Sequence, residues 1–257
     1  MEQVTSRDGT TIAFDRIGQG PPVVLITGAL SDRADKNPLA DHLASDLTVL
    51  NYDRRGRGPS GDTRPYEIDR EVEDIEAVIR AAGGEAGLYG SSGGAALAML
   101  AASAGLPVTK LVMWEPPYMP EDMPTPPPDH VEQLDTMVAE GRRGDAVEYF
   151  LSTVVGMPPQ AVAGMRQQPF WAKAETLAHT LTYDARILGD YRIPADRAKN
   201  LTVPTLVITG DAMPFMRDTA TALAEILPEG EARLLDGQDH DGDPTVLAPI
   251  LKAFFAD

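Results

Sequence analysis

Gly90-Ser91-Ser92-Gly93-Gly94 reads Gly-x-Ser-x-Gly, with the apolar run Ala86 to Tyr89 before it and a small-residue helical run, Ala95 to Ala104, after it. A serine placed in a tight strand-to-helix turn needs neighbours without side chains on both flanks, and the turn then leaves its hydroxyl exposed above a sheet. Only Ser92 has glycine two residues to either side, so it is the candidate nucleophile and Ser91 the variable position. The N–H of the next residue, Gly93, falls at a helix N-terminus, where it can stabilise an oxyanion. Taken alone, the pattern also fits an ordinary glycine turn, and its weight comes from what surrounds it.

Upstream, Gln3 to Ser6 and Thr11 to Arg16 flank Asp8-Gly9, a hairpin signal that predicts two antiparallel strands. Val23 to Ile26 and Thr48 to Tyr52 are continuously apolar, as in strands buried on both faces. Ile68, Val72, Ile75 and Ile79 recur at helical spacing. Downstream, Lys110 to Trp114, Val203 to Thr209 and Ala232 to Leu235 supply three more strands. Helices are expected at Arg217 to Leu227 and Thr245 to Phe255. Strands alternating with helices predict an α/β fold with a mostly parallel sheet covered on both faces. One segment breaks the alternation. From Pro116 to about Asn200 no strand is legible, and the Pro-rich stretch Pro124 to Pro128 leads into helical runs such as Val131 to Glu140 and Asp145 to Val154. Roughly eighty residues is far beyond the ~4–6-residue median connection, so the segment reads as an inserted helical subdomain, placed to act as a lid.

Composition sets the outer bounds. A chain of 257 residues, 43% hydrophobic, suits one α/β domain with an insertion. No apolar run approaches the ~20 residues of a membrane span, and the first residues lack the basic start and apolar stretch of a signal peptide, so the expected location is cytoplasmic. With no cysteine, there is neither a disulfide framework nor a thiolate nucleophile. A net charge of −17 repels phosphate backbones and anionic lipid, so the expected partner is a small-molecule substrate, with no nucleic acid and no membrane.

These signals, in this order, resemble the α/β-hydrolase superfamily over nearly the whole chain, in its serine-nucleophile branch with a helical cap. Asp53, Arg55, Gly56, Gly58 and Ser60 match the D-x-R-G-x-G-x-S segment common after the family's fourth strand. Here Arg55, Gly56 and Gly58 read as turn and salt-bridge structure. His240, between the last strand and the last helix, matches the family's catalytic histidine, whereas His42, His130 and His179 have no such placement. The resemblance implies an eight-stranded α/β-hydrolase fold with core residues 1–115 and 201–257 and a cap at 116–200 after the sixth strand.

It further implies a second oxyanion donor in the loop after the third strand, where Thr27-Gly28-Ala29 stands for the usual His-Gly-x and Ala29 N–H is the candidate. The acid departs from the pattern. The family's frequent Gly-x-x-Asp after the seventh strand reads Gly210-Asp211-Ala212-Met213 here, and Met213 cannot orient a histidine. Glu115, at the end of the sixth strand, occupies an alternative acid site used by some branches and keeps the chain order Ser, Glu, His. Asp211, Asp239, Asp241 or no acid at all remain open.

The implied activity is hydrolysis of a carboxylic ester, lactone, thioester or similar acyl compound by Ser92, His240 and Glu115, without metal or organic cofactor. A serine nucleophile argues against the dehalogenase and epoxide hydrolase branches, which use aspartate. Two alternatives stand beside this reading: a degenerate member that only binds ligand, and a non-hydrolytic member such as a lyase or cofactor-free haloperoxidase. The apolar Met119, Met123, Met137, Met157, Met165, Phe170, Trp171 and Tyr183 of the insertion fit either a pocket wall or the insertion's own core.

Overall fold

The apolar runs assemble into one sheet because each has two faces to bury. In a computed structural model, which describes residues 1–256, the strands are β1 (Glu2–Thr5), β2 (Thr11–Ile17), β3 (Pro22–Ile26), β4 (Thr48–Tyr52), β5 (Ala86–Ser91), β6 (Val108–Trp114), β7 (Thr205–Thr209) and β8 (Gly230–Leu234). They lie in the order β1-β2-β4-β3-β5-β6-β7-β8. β1 and β2 pair antiparallel, as does β2 with β4, and all other neighbours are parallel.

Successive side chains alternate across a strand, so the run Val23 to Ile26 divides between two cores. Val23 and Leu25 face Leu39 and Leu43 of α1 (Asn37–Leu43) and Leu247, Leu251 and Phe255 of α11 (Pro244–Ala256). Val24 and Ile26 face the opposite core, which α2 (Ile68–Ala82), α3 (Gly93–Ser103) and α10 (Pro214–Ile226) complete. Burial on both faces is why these strands read as continuous apolar runs.

The alanines of α3 let it press against the sheet, and two glycines of the opening motif are required by that approach. A Cβ on Gly90 would sit 2.3 Å from Gly94 O, and one on Gly94 would sit 2.4 Å from Ile26 O, distances no side chain tolerates.

Between β6 and β7 come α4 (His130–Ala139), α5 (Arg143–Tyr149), a π-helical turn (Phe150–Val154), α6 (Pro159–Met165), α7 (Pro169–Leu177), α8 (Leu181–Leu188) and α9 (Ala195–Lys199). The single helix expected over Asp145 to Val154 is thus divided at Tyr149, where the wider turn buries Phe150, Leu151 and Val154 together. Strand limits differ from the sequence reading by one to two residues: β6 begins at Val108, β7 at Thr205 after Pro204, and β8 at Gly230. Helix α1 was not anticipated. Met119, Met137, Met157, Met165 and Phe170 pack on the larger core. Among the described residues, no helix is long and apolar enough to cross a membrane.

Candidate active site

Ser92 caps α3 with φ 54° and ψ −127°, a left-handed conformation that costs a non-glycine residue of order 1–3 kcal/mol. It is held there by Ser92 N donating to Trp114 O at 2.8 Å and by Ala95 N donating back to Ser92 O at 2.8 Å. Among the described residues, four non-glycine residues have positive φ: Leu30, Ser92, Glu115 and Tyr191. Three of these lie in the loops after β3, β5 and β6, at one edge of the sheet, so the strain concentrates where the sequence places its chemistry.

Glu115 follows β6 directly and is fully buried. Its backbone N–H donates to Ile208 O, and its carboxylate accepts from Gly210 N at 3.0 Å, from Thr209 Oγ1 at 3.3 Å and from His240 Nδ1 at 2.6 Å. A carboxylate accepts only, so Nδ1 carries a proton, and in the neutral ring Nε2 is left with a free lone pair. Trp114 Nε1 donates to the backbone oxygen of His240 at 2.8 Å, so consecutive residues of one strand tip hold the histidine by main chain and by ring. Nothing in the sequence reading singled out Trp114. Burial, reinforced by the Glu115 charge, pushes the neighbouring Tyr89 phenol well up.

The imidazole is 44% exposed, leaving one edge open to a ligand. Among the described residues Ser92 Oγ makes no hydrogen bond, and none joins it to His240 Nε2. The other carboxylates considered do not reach His240. Asp211 is exposed and bonds through its backbone N–H to Gln238 O at 3.2 Å, while Asp239 Oδ1 accepts from Asp241 N at 3.1 Å.

Gly93 follows Ser92 and Ala29 lies in the loop after β3, and neither N–H has an acceptor among the described residues. A Cβ on Gly28 would lie 2.9 Å from Ser92 Cβ, which places the loop after β3 in contact with the serine. The helices between β6 and β7 approach the site at three points. Asp184 of α8 lies against Gly93, where a Cβ would come within 2.7 Å of Asp184 Oδ1. Lys173 of α7 pairs with Asp32 Oδ1 at 3.1 Å and Asp35 Oδ2 at 2.7 Å. Phe170 and Lys173 also wall a cavity of about 470 Å3 with Ala29, Leu30, Lys36 and Asp241. Ser92 and His240 are not part of its wall; it lies beside them, against Ala29 and the residue after His240. Burial lowers the Lys36 ammonium, with Asp241 and Asp35 opposing.

Beneath the serine lies a fully buried ion cluster. Arg54 grips Glu71 at 2.7 and 2.8 Å and Asp184 at 2.6 Å, and Arg57 grips Asp184 at 2.6 Å. Burial works against the Arg54 guanidinium, but the two carboxylates outweigh it and hold its pKa well up, whereas burial and the adjacent Arg54 push Arg57 down. Arg55 turns away to Asp74 and Asp8, a structural ion pair as the sequence suggested. Of the remaining histidines, His42 is exposed, His130 bonds to Pro127 O at 2.8 Å, and His179 packs edge-on against Tyr183, its ring driven toward the neutral form by burial.

A serine on a strained strand-to-helix turn, beside a carboxylate–imidazole pair at the edge of a parallel sheet, is the arrangement of the α/β-hydrolase class. The profile of the alpha/beta hydrolase family matches residues 23–249, and the chain belongs to that family. It is 52% identical to an alpha/beta hydrolase from Sphaerobacter thermophilus DSM 20745, with a TM-score of 0.93 over 99% of this chain and 100% of that one. At 20% identity it shares the fold of a thermophilic esterase from Thermogutta terrifontis, with a TM-score of 0.76 over 98% and 97% of the two chains. A curated relative, the uncharacterized hydrolase YraK of Bacillus subtilis (strain 168), is 30% identical over 95 residues, a match spanning 35% of each chain.

Proposed function

We propose that the chain is a serine hydrolase of small carboxylic esters, lactones or thioesters, with Ser92 as nucleophile, His240 as general base and acid, and Glu115 as the triad acid. The observation that carries this is the 2.6 Å contact between buried Glu115 and His240 Nδ1, one strand away from the strained Ser92. In the first step His240 Nε2 takes the Ser92 proton as Oγ attacks the acyl carbon. Ala29 and Gly93 N–H groups receive the oxyanion, each donor contributing on the order of 3 kcal/mol. The imidazolium, stabilised by Glu115, then protonates the departing alkoxide or thiolate. Water repeats the sequence on the acyl-enzyme, releasing the acid and restoring Ser92.

Residues 116–200 act in this reading as the cap, supported by the approach of Asp184, Lys173 and Phe170 to the loops around Ser92. The cavity beside Ala29 has an apolar side, Leu30 and Phe170, suited to a short acyl or alcohol group.

The missing hydrogen bond between Ser92 and His240 favours a second reading, a protein that binds acyl ligands without turnover; such bonds are, however, often long without substrate. A fluorophosphonate probe decides. Stoichiometric labelling lost in Ser92→Ala, with hydrolysis of a p-nitrophenyl ester panel, supports the triad. Absent labelling and turnover refute it in favour of binding, and labelling that survives Ser92→Ala but not Ser91→Ala refutes the register. Product analysis separates hydrolysis from lyase or haloperoxidase chemistry.

A further inference from the structure

Arg57 donates from Nη1 to Gly28 O and, at 3.0 Å, to Ser31 O, and from Nη2 to Asp184 Oδ2 at 2.6 Å. Gly28 O and Ala29 N–H belong to the same peptide unit. A trans peptide is planar, so its C=O and N–H point in opposite directions, and fixing the oxygen aims the hydrogen away from Arg57. A cation on the carbonyl oxygen also draws electron density from the amide and makes its N–H a stronger donor. The two clamped carbonyls bracket Ala29 and Leu30, and Leu30 is held at φ 55°. Arg54 Nη1 does the same one peptide earlier, on Thr27 O at 3.2 Å.

Both arginines end on one carboxylate. Asp184 Oδ1 takes Arg54 at 2.6 Å and Oδ2 takes Arg57, while the same group lies against the Cα of Gly93. A single side chain from the helices between β6 and β7 therefore touches the support of both candidate oxyanion donors. We propose that Arg57 and Asp184 are positioning residues for the oxyanion hole, Arg57 aiming the Gly28–Ala29 peptide and Asp184 locking Arg57 from α8. The inference rests on the serine hydrolase reading.

Arg57→Lys keeps a charge but cannot span both carbonyls and Asp184, and Asp184→Asn keeps the shape but loses one acceptor. For p-nitrophenyl acetate each variant should lower kcat about 10- to 100-fold with KM within about twofold. Affinity for phenylboronic acid, which forms a tetrahedral adduct on the serine, should fall in step with kcat. Asp184→Glu should lose at least as much as Asp184→Asn, since Gly93 leaves no room for a longer side chain. Leu223→Ala, on the buried face of α10, serves as a control that lowers Tm without moving kcat or boronate affinity below the melt. Folded variants with wild-type kcat and boronate affinity overturn the proposal, and so does failure of all three variants to fold, which would leave the cluster a structural role alone. A wild-type protein without labelling or ester turnover overturns the parent reading as well, so the two failures are told apart.

Discussion

Replacing Glu115 by Gln tests the acid with almost no change of shape. In the wild type Oε1 accepts from Gly210 N at 3.0 Å and from Thr209, and Oε2 accepts from His240 Nδ1 at 2.6 Å. An amide offers one acceptor. If its oxygen stays with Gly210, its NH2 faces Nδ1, which must then accept; the proton moves to Nε2, and the imidazole can no longer take one from Ser92. If the amide turns over, the NH2 meets the Gly210 N–H, leaving a buried donor unpaired at a cost of about 1–3 kcal/mol. The productive tautomer is therefore a minority of about one in ten to one in a hundred. The lost charge adds to this, since a carboxylate about 4 Å from the imidazolium centre is worth about 4 kcal/mol at an effective dielectric of 20. Together these give a loss in kcat of about 10⁴-fold, the order seen when a triad carboxylate becomes an amide. Stopped-flow p-nitrophenol release and the second-order rate of fluorophosphonate labelling should both fall, with the far-UV circular dichroism unchanged. A folded Glu115→Gln protein within about tenfold of the wild type refutes the assignment, and an equal loss in Asp211→Asn or Asp239→Asn would move the acid there.

Gly94→Ala should destabilise the fold by at least about 3 kcal/mol, because the added Cβ meets Ile26 O at 2.4 Å and Thr27 O at 2.6 Å, both backbone; a thermal melt within a degree or two of the wild type contradicts that packing. Trp114→Phe removes the indole bond to His240 O and should cost about 1–2 kcal/mol in stability and about tenfold in kcat, so an unchanged kcat shows that the ring bond to Glu115 positions the histidine alone. Asp8 loses some basicity-lowering solvent contact to burial, but bonds from Thr10 and Arg55 outweigh it and hold its pKa at about 2, against an ordinary 3.8. A depressed carboxylate stabilises the fold above its unfolded pKa and loses that contribution as pH falls through about 4 toward about 2. Discounted for solvent screening it amounts to about 1 kcal/mol. Urea melts of Asp8→Asn should show the smaller loss of stability over that window, and parallel pH curves would rule the pairing out.

The sheet was legible because its central strands are buried on both sides and spell out continuous apolar runs. Helices broke the reading where they were short. Pro159 and Pro169 look like breakers in a linear scan, yet each sits in the first turn of a helix, where the missing N–H has no partner to lose. Helix α1 has seven residues and too few apolar positions to show a period. The strand expected from Lys110 begins two residues earlier, because Val108 is half-buried and Thr109 exposed, and the two do not extend the apolar run.

In the candidate site, Ser92 carried a local signal in its glycine turn, whereas His240 and Glu115 were reached through the family resemblance. Arg57, Trp114 and Asp184 were reached by neither. Arg57 and Asp184 are separated by 127 residues and meet only because α8 folds back onto α3. Three arginines in four residues, Arg54 to Arg57, would suggest a solvated basic loop until their buried acids are in view.

Taking the carboxylate from the tip of β6 has an effect elsewhere on the surface. The turn between β7 and α10 contributes only the Gly210 N–H to Glu115, and Asp211 and Ala212 beyond it are exposed. In this reading that turn carries no reacting group, and it is therefore a site where a peptide tag, a sensor module or new chain termini could be engineered between Asp211 and Met213 with the chemistry left in place.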